Sequence, residues 1–337
     1  MSHMTYLEAS VVGLIQGVTE LFPVSSLGHN VLIPALAGGS WATDLNVAAG
    51  ESPYLAFIVG LHVATALALL VYFWRDWVRI IGGFLSSLRD HRGRRLALDT
   101  ADQKLAWMII LATIPVGLVG VEFEHAFRVL FGKPIRAAIF RVINGLILYA
   151  GEKFRTRASL RADEELAGEE LADERELVGA RTNSGGAVRA SGQRAVRQME
   201  VSLAARADER LAGAGYAEAL IIGSSQVLAL LAGISRDGVV MVTGMFRGLS
   251  RQDAARFSFL LSTPVIFAAG ALKIPDLTGS LGNGIRGQVL VGSVLSGVGA
   301  YLSVRFLMRY FRTRTLTPFA IYCVVFGLAS IIYLSLK

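Results

Sequence analysis

Two apolar stretches of this chain carry residues that could do chemistry. The first runs from Gly13 to His29 and holds Gln16, Glu20, Ser25, Ser26 and His29; the second, 210 positions later, holds Ser235, Arg236 and Asp237 between Gly233 and Gly238. A serine, a histidine, an arginine and a carboxylate make a kit for phosphoryl transfer. They can act as nucleophile, proton shuttle, charge clamp, and orienting or metal-holding acid. Spacing supports the grouping. Gln16 and Glu20 are four apart and share one helical face, and Ser26 and His29 are three apart and share another.

These residues need elements to hold them. Pro23 and Gly28 interrupt the first stretch, so it cannot be one continuous helix. It reads as two arms, one ending near Phe22 and one starting near Ser25, with Ser25 at a helix N-cap. Crossing about 30 Å of hydrocarbon takes about 20 residues, and neither arm is that long. A re-entrant helical hairpin fits better. Polar groups at membrane depth on such a segment face a site, because lipid would leave them unsatisfied. The start of the second arm offers free N–H groups and a positive dipole end, which suits phosphate. Ser235 is placed to cap the equivalent arm of the second stretch, with Arg236 in its first turn. A guanidinium there can grip phosphate oxygens bidentately.

The composition is that of a multi-span membrane protein: 337 residues, 53% hydrophobic, mean hydropathy +0.52. Cys323 is the only cysteine, which excludes a disulfide framework and a thiolate metal cluster. The net charge of +7 does not point to nucleic acid, because no basic stripe is interleaved with aromatics; basic residues gather instead in candidate cytoplasmic loops. Spans are expected at 54–74, 105–121, 134–151, 253–274, 288–308 and 316–335, with an arginine-rich loop over 75–104. Residues 152–211 are Ala, Arg and Glu with almost no aromatics, broken at Thr182–Gly186. They read as two exposed helical pieces with a flexible joint, too weakly hydrophobic to form a core. The expected division is a first membrane repeat over 5–151, a charged cytoplasmic insertion over 152–215 and a second membrane repeat over 216–337.

A shift of 210 residues overlays the two broken stretches: Gly13 on Gly223, Gln16 on Gln226, Leu21 on Leu231, Ser25 on Ser235 and Gly28 on Gly238. Arg75, Arg79, Arg89, Arg92, Arg94 and Arg95 follow the first span. Arg247, Arg251 and Arg256 precede the fourth, and Arg305, Arg309, Arg312 and Arg314 surround the end of the fifth. If all are cytoplasmic, the spans alternate and the two hairpins enter from opposite sides. The expectation is an all-α polytopic fold with six transmembrane helices and two re-entrant hairpins in inverted repeats, meeting near the midplane.

The run Gln16-x-x-x-Glu20-Leu-Phe-Pro23-Val-Ser25-Ser26-x-Gly28-His29 resembles the first signature of the undecaprenyl-diphosphate phosphatase family, the BacA/UppP type. Gly233-Ile-Ser235-Arg236-x-Gly238 resembles its second, and Phe257–Leu261 and Pro318–Tyr322 fit its flavour. The resemblance covers all but the 152–213 insertion. It implies hydrolysis of undecaprenyl diphosphate to the monophosphate, recycling the lipid carrier of peptidoglycan synthesis, and bacitracin resistance. It implies a bacterial plasma-membrane enzyme whose site opens outward. Carried over by position, Ser26 is the nucleophile, His29 the proton shuttle, Arg236 the diphosphate clamp, and Glu20 an orienting acid or the ligand of a divalent cation, Mg or Ca. Gln16, Ser25, Ser235 and Asp237 would bind substrate. Whether serine or an activated water attacks stays open, as does a homodimer.

Two positions depart from the family pattern. Gln16 stands where a second carboxylate is usual. Ala232 and Asp237 replace a proline and a serine of the second signature. Either a carboxylate has moved from position 16 to 237, or Asp237 pairs with Arg236 and weakens the clamp. His62 reads as an interhelical hydrogen-bonder, and Glu122, Glu124 and His125 as a solvated rim. The rival from another class is a transporter or flippase of a polyprenyl phosphate lipid on the same scaffold, since the same residues could merely bind an anionic headgroup.

Overall fold

The computed structural model describes residues 4–46, 53–90, 100–131, 133–183, 205–279 and 284–337, and every regular element among them is helical. Arg92, Arg94 and Arg95 lie outside the described residues, as do residues 184–186 of the expected break in the insertion. The side chains of Glu124 and His125 are likewise outside the description.

The first broken stretch forms α1 (Tyr6–Thr19) and α2 (Ser26–Ala37). Thr5 and Glu8 close a reciprocal capping box at the start of α1. The turn before α2 is where Pro23 forbids a continuing helix. A short α3 (Gly39–Asp44) follows. Next come α4 (Pro53–Tyr72), α5 (Trp74–Asp90), α6 (Ala101–Phe131) and α7 (Pro134–Lys153). The insertion contributes α8 (Arg157–Asn183) and α9 (205–214). The second broken stretch is α10 (Tyr216–Ser224), a 3-10 turn Ser225–Leu230, and α11 (Arg236–Phe246). α12 (Arg251–Thr278), α13 (Arg286–Thr313) and α14 (Thr317–Leu336) complete the chain.

Five helices are long and apolar enough to cross a membrane: α6, α7, α12, α13 and α14; a sixth span is added if α4 and α5 are taken as one bent pair. Each expected span falls on a helix, but the expected loop after the first does not. Residues 74–90 form α5, turned 84° from α4. Its Trp74, Val78, Ile81, Leu85 and Leu88 are exposed along one stripe, while Ile80 is buried and Phe84 packs against Trp107 of α6. The helix is thus amphipathic, with an open apolar stripe and arginines beside it. The arginine count alone suggested a loop; the apolar period over 74–88 explains the helix.

Helices from the two parts of the chain pack on one another. α1 packs on α13 and α10 on α6; α2 and α11 both pack on α7, and α4 meets α12 as α7 meets α14. Small residues set the approach. A Cβ on Gly13 would lie 2.5 Å from the Gly292 carbonyl oxygen, and one on Gly17 would overlap that of Ser296.

The insertion is not the fully exposed piece its composition suggested. Leu211 and Ala207 are buried, and the hydroxyl of buried Ser159 donates to the Leu249 carbonyl at 2.6 Å. Asp163 sits 2.8 Å from Arg155 and 3.2 Å from Arg251. Arg79 of α5 and Arg256 of α12 both reach Asp208 of α9, at 2.6 and 2.8 Å. The arginine groups after α4 and before α12 therefore share one end of the bundle with the insertion.

Candidate active site

The two broken segments meet through helix starts built alike. Ser25 caps α2 by accepting from the Gly28 N–H at 3.2 Å, and Ser235 caps α11 by accepting from the Gly238 N–H at 3.2 Å. At Gly28 a Cβ would lie 3.0 Å from Gly233 Cα, so the turns approach backbone to backbone. Ser25 has φ +67°, the only non-glycine with positive φ among the described residues. Such strain persists where surroundings over-determine it, and clusters at functional sites.

Two residues of α7 hold these turns. Arg141 is fully buried, and its Nη2 donates to the carbonyls of Val24 and Ser25, the latter at 3.1 Å. Asn144 donates to the Pro23 carbonyl at 3.0 Å and accepts from the Ser235 N–H at 2.9 Å. One amide thus bridges the two turns.

Glu20 is the centre of the chemistry-bearing residues. Its Oε2 accepts from the Ser26 hydroxyl and from Gln16 Nε2 at 2.8 Å. Its Oε1 accepts from Arg236 Nη2 at 3.2 Å. His62 of α4 places Nε2 3.6 Å from Oε2. Gln16 in turn accepts from Asn30 at 2.7 Å, which fixes its amide orientation. Gln16, Ser26, His62 and Arg236 therefore surround one carboxylate.

The remaining candidates sit beside this group. His29 does not bond Ser26. Its Nδ1 is 2.7 Å from the Ser25 carbonyl oxygen and 2.7 Å from Arg141 Nη2, and its Nε2 is 2.7 Å from the Tyr322 hydroxyl. Its ring stacks with Tyr322 and Phe326. Asp237 accepts from Ser258 and Ser262, both at 2.7 Å, and lies 3.7 Å from Arg236 Nε. Arg236 thus hydrogen-bonds Glu20 while Asp237 flanks it. No group of three His, Cys, Asp or Glu forms a metal-ligand set among the described residues.

Sequence comparison decides what this constellation belongs to. The family described as Bacitracin resistance protein BacA matches residues 9–329. A protein of Mycolicibacterium paratuberculosis named undecaprenyl-diphosphatase is 56% identical over 336 residues, covering 100% of this chain and 99% of the relative. One from Frankia alni, named undecaprenyl-diphosphatase 2, is 53% identical, covering 97% of each chain. One from Acidiphilium cryptum, named undecaprenyl-diphosphatase, is 37% identical, covering 98% of each. The chain belongs to the BacA family.

The match runs through the insertion, which the signature motifs alone left uncovered. Within this BacA-family chain, the sequence pointed to no role for Arg141, Asn144, Asn30 or Ser262, and marked Ser258 and Tyr322 only as members of the Phe257–Leu261 and Pro318–Tyr322 stretches. An arginine inside an expected span was a sufficient signal for Arg141, since a charge at that depth needs a reason. Asn144 gave no comparable sign, and the place of Tyr322 beside His29 comes from which helices pack together.

Proposed function

We propose that this chain is an undecaprenyl-diphosphatase of the bacterial plasma membrane. It hydrolyses undecaprenyl diphosphate to the monophosphate, returning the lipid carrier to peptidoglycan synthesis and conferring bacitracin resistance. The observation that carries this is the Ser26–Glu20–Arg236 contact, supported by relatives of that name aligned end to end.

In this reading the diphosphate enters beside the N-terminus of α2. Arg236 clamps its oxygens, and the free N–H groups at the start of α2 assist. Ser26 attacks the terminal phosphorus and Glu20, already holding its hydroxyl proton, is the base. This replaces the expected Ser26–His29 pairing, since both His29 nitrogens are engaged elsewhere. His29 becomes a residue that steadies the Ser25 turn and the Tyr322 hydroxyl.

A divalent cation, Mg or Ca, fits as a companion of the diphosphate rather than a resident of the protein. Magnesium commonly binds through one or two carboxylates plus substrate phosphates. Glu20 would be its protein ligand, and the cation would neutralise phosphate charge.

The finer architecture is part of the proposal: six spans, with α1–α2 and α10–α11 as hairpins entering from opposite faces and the site open to the outside. The grouping of Arg79, Arg251 and Arg256 with the insertion at one end supports a cytoplasmic assignment for that end.

Purified protein in detergent should release phosphate from undecaprenyl diphosphate, and Ser26→Ala should lower the rate by about 10³-fold or more. A fully active Ser26→Ala would remove serine as nucleophile. No phosphate release by the wild type, with headgroup binding intact, would favour the transport reading.

A further inference from the structure

The Ser26–Glu20 pair has a third member, His62, which the sequence read as an interhelical hydrogen-bonder. We propose that His62 is the proton relay of the site: it takes from Glu20 the proton that Glu20 removes from Ser26, and exchanges it with water. The inference depends on the hydrolase reading above and deepens it.

Geometry fixes which nitrogen can serve. His62 Nδ1 lies 2.9 Å from the Ile58 carbonyl of its own helix. A carbonyl only accepts, so Nδ1 carries the hydrogen and the lone pair sits on Nε2. Nε2 faces Glu20 Oε2 at 3.6 Å, and Oε2 is the oxygen that holds the Ser26 hydroxyl. The three groups form a row: hydroxyl, carboxylate, imidazole. Catalytic hydrogen bonds are often long before substrate arrives, and a water or a small rotation closes such a gap.

Access distinguishes the row's ends. The Glu20 side chain is 6% exposed and that of His62 is 29% exposed. His29, the other histidine near the site, is buried with both nitrogens engaged. Of these groups only His62 both faces Glu20 and has a partly exposed side chain.

The groups around His62 are few. Glu20 faces it from the end of α1, and behind Glu20 stand Arg236 and Asp237 of α11. α12 brings Gly270 against Val63, and α13 brings Ser296 to the Leu61 carbonyl and Gly297 toward Ala64. None of those three is ionisable, so Glu20 is the charged group nearest the imidazole.

The steps balance. In the first, the Ser26 Oγ–P bond forms and the bond from that phosphorus to the bridging oxygen breaks, its electron pair leaving on the lipid monophosphate. The Ser26 proton passes to Glu20 and then to His62 Nε2, which releases it to water. In the second, water attacks the phosphoserine and the Oγ–P bond breaks with its pair on Oγ. Glu20 takes a proton from that water and returns one to Oγ, and inorganic phosphate leaves. One proton is released per turnover, and no oxidant or reductant is needed. Because His62 acts through Glu20, it is a positioning residue of the reaction and not a group that touches phosphorus.

The test uses full-length protein in detergent micelles with undecaprenyl diphosphate, comparing wild type, His62→Ala and His62→Gln across pH, with and without added imidazole. The expected result is a fall in kcat of about 10²-fold for both variants with KM little changed. The acid limb of the kcat–pH profile should disappear in both, and imidazole should restore His62→Ala at least tenfold but not His62→Gln. A merely structural histidine would predict neither the lost limb nor the rescue. Variants within threefold of wild type with an unchanged pH profile would overturn the relay and leave the hydrolase reading standing. A kcat fall without rescue and with the acid limb intact would do the same. A wild type that releases no phosphate would overturn both.

Discussion

Arg236 donates to Glu20 at 3.2 Å, joining residues 216 positions apart. In the proposed mechanism the guanidinium that holds diphosphate is parked on the carboxylate that acts as base. On that reading substrate binding exchanges this partner and couples the two residues. Arg236→Lys should lower kcat/KM by about 10²-fold, since an ammonium cannot reproduce a bidentate grip. Glu20→Gln should lower it at least as much. The double variant should fall short of the product of the two, with a coupling of about 1 kcal/mol or more in a kinetic cycle. Additive losses would mean that the contact in the empty site has no bearing on turnover.

Gln16 and Asp237 test whether a carboxylate has moved within the site. Gln16 donates to Glu20 and accepts from Asn30, a pattern a glutamate could not reproduce. Gln16→Glu alone also sets two carboxylates four residues apart on one face and should cost about tenfold in kcat/KM, the scale of a 1.4 kcal/mol penalty. Asp237→Ser alone should cost less, because Ser258 and Ser262 can rebond locally. The double variant should recover part of the Gln16→Glu loss. Steady-state kinetics on the four proteins checks this, and strict additivity would end the compensation idea.

Asn144 is predicted to matter for stability and activity together. It is fully buried and serves the Pro23 carbonyl and the Ser235 N–H at once. Asn144→Leu strands both groups, at about 1–3 kcal/mol each. The melting temperature in micelles should drop by several degrees and kcat should fall, because both turns lose their shared tie. Leu146→Ala, on the exposed side of the same helix, is the control and should leave kcat unchanged.

The breaks at Pro23 and at 233–238, the caps at Ser25 and Ser235 and the repeat offset were readable because each is a local property. Proline ends a helix, and serine caps one, wherever they occur. The contact between Glu20 and Arg236 was inferable only through the repeat. The partners of His29 were not inferable at all. Helical spacing put His29 on the same face as Ser26, but Tyr322, 293 positions away, and Arg141 of α7 took its nitrogens. Tertiary packing decided that, and no single-helix pattern carries it. Helix α5 is written in the apolar period of 74–88 despite its arginines, whereas its 84° turn from α4 is set by packing.

Metal dependence should appear only with substrate. Both oxygens of Glu20 already accept hydrogen bonds, and no three-ligand set exists among the described residues. Millimolar Mg should therefore shift the melting temperature of substrate-free protein by less than about 1 °C, as a ligand without a preformed site does. EDTA should abolish hydrolysis, and Mg or Ca should restore it. A large thermal shift without substrate would instead indicate a resident site.

The insertion's hold on the bundle should run through Arg256. This buried guanidinium donates to Asp76 at 3.0 Å and to Asp208 at 2.8 Å, with its face over Phe73 at the α4–α5 bend. Arg79 supplies the second cation, 2.6 Å from each carboxylate. Arg256→Leu would leave two buried carboxylates with one arginine, and removing one partner of a buried pair costs about 3–5 kcal/mol. Adding Asp208→Asn removes the uncompensated charge as well, so the double variant should melt higher than Arg256→Leu alone. Thermal unfolding of the three proteins in micelles checks the order. A double variant that melts below the single would mean that Asp208 secures α9 through Arg79, and that Arg256 serves the bend between α4 and α5 instead.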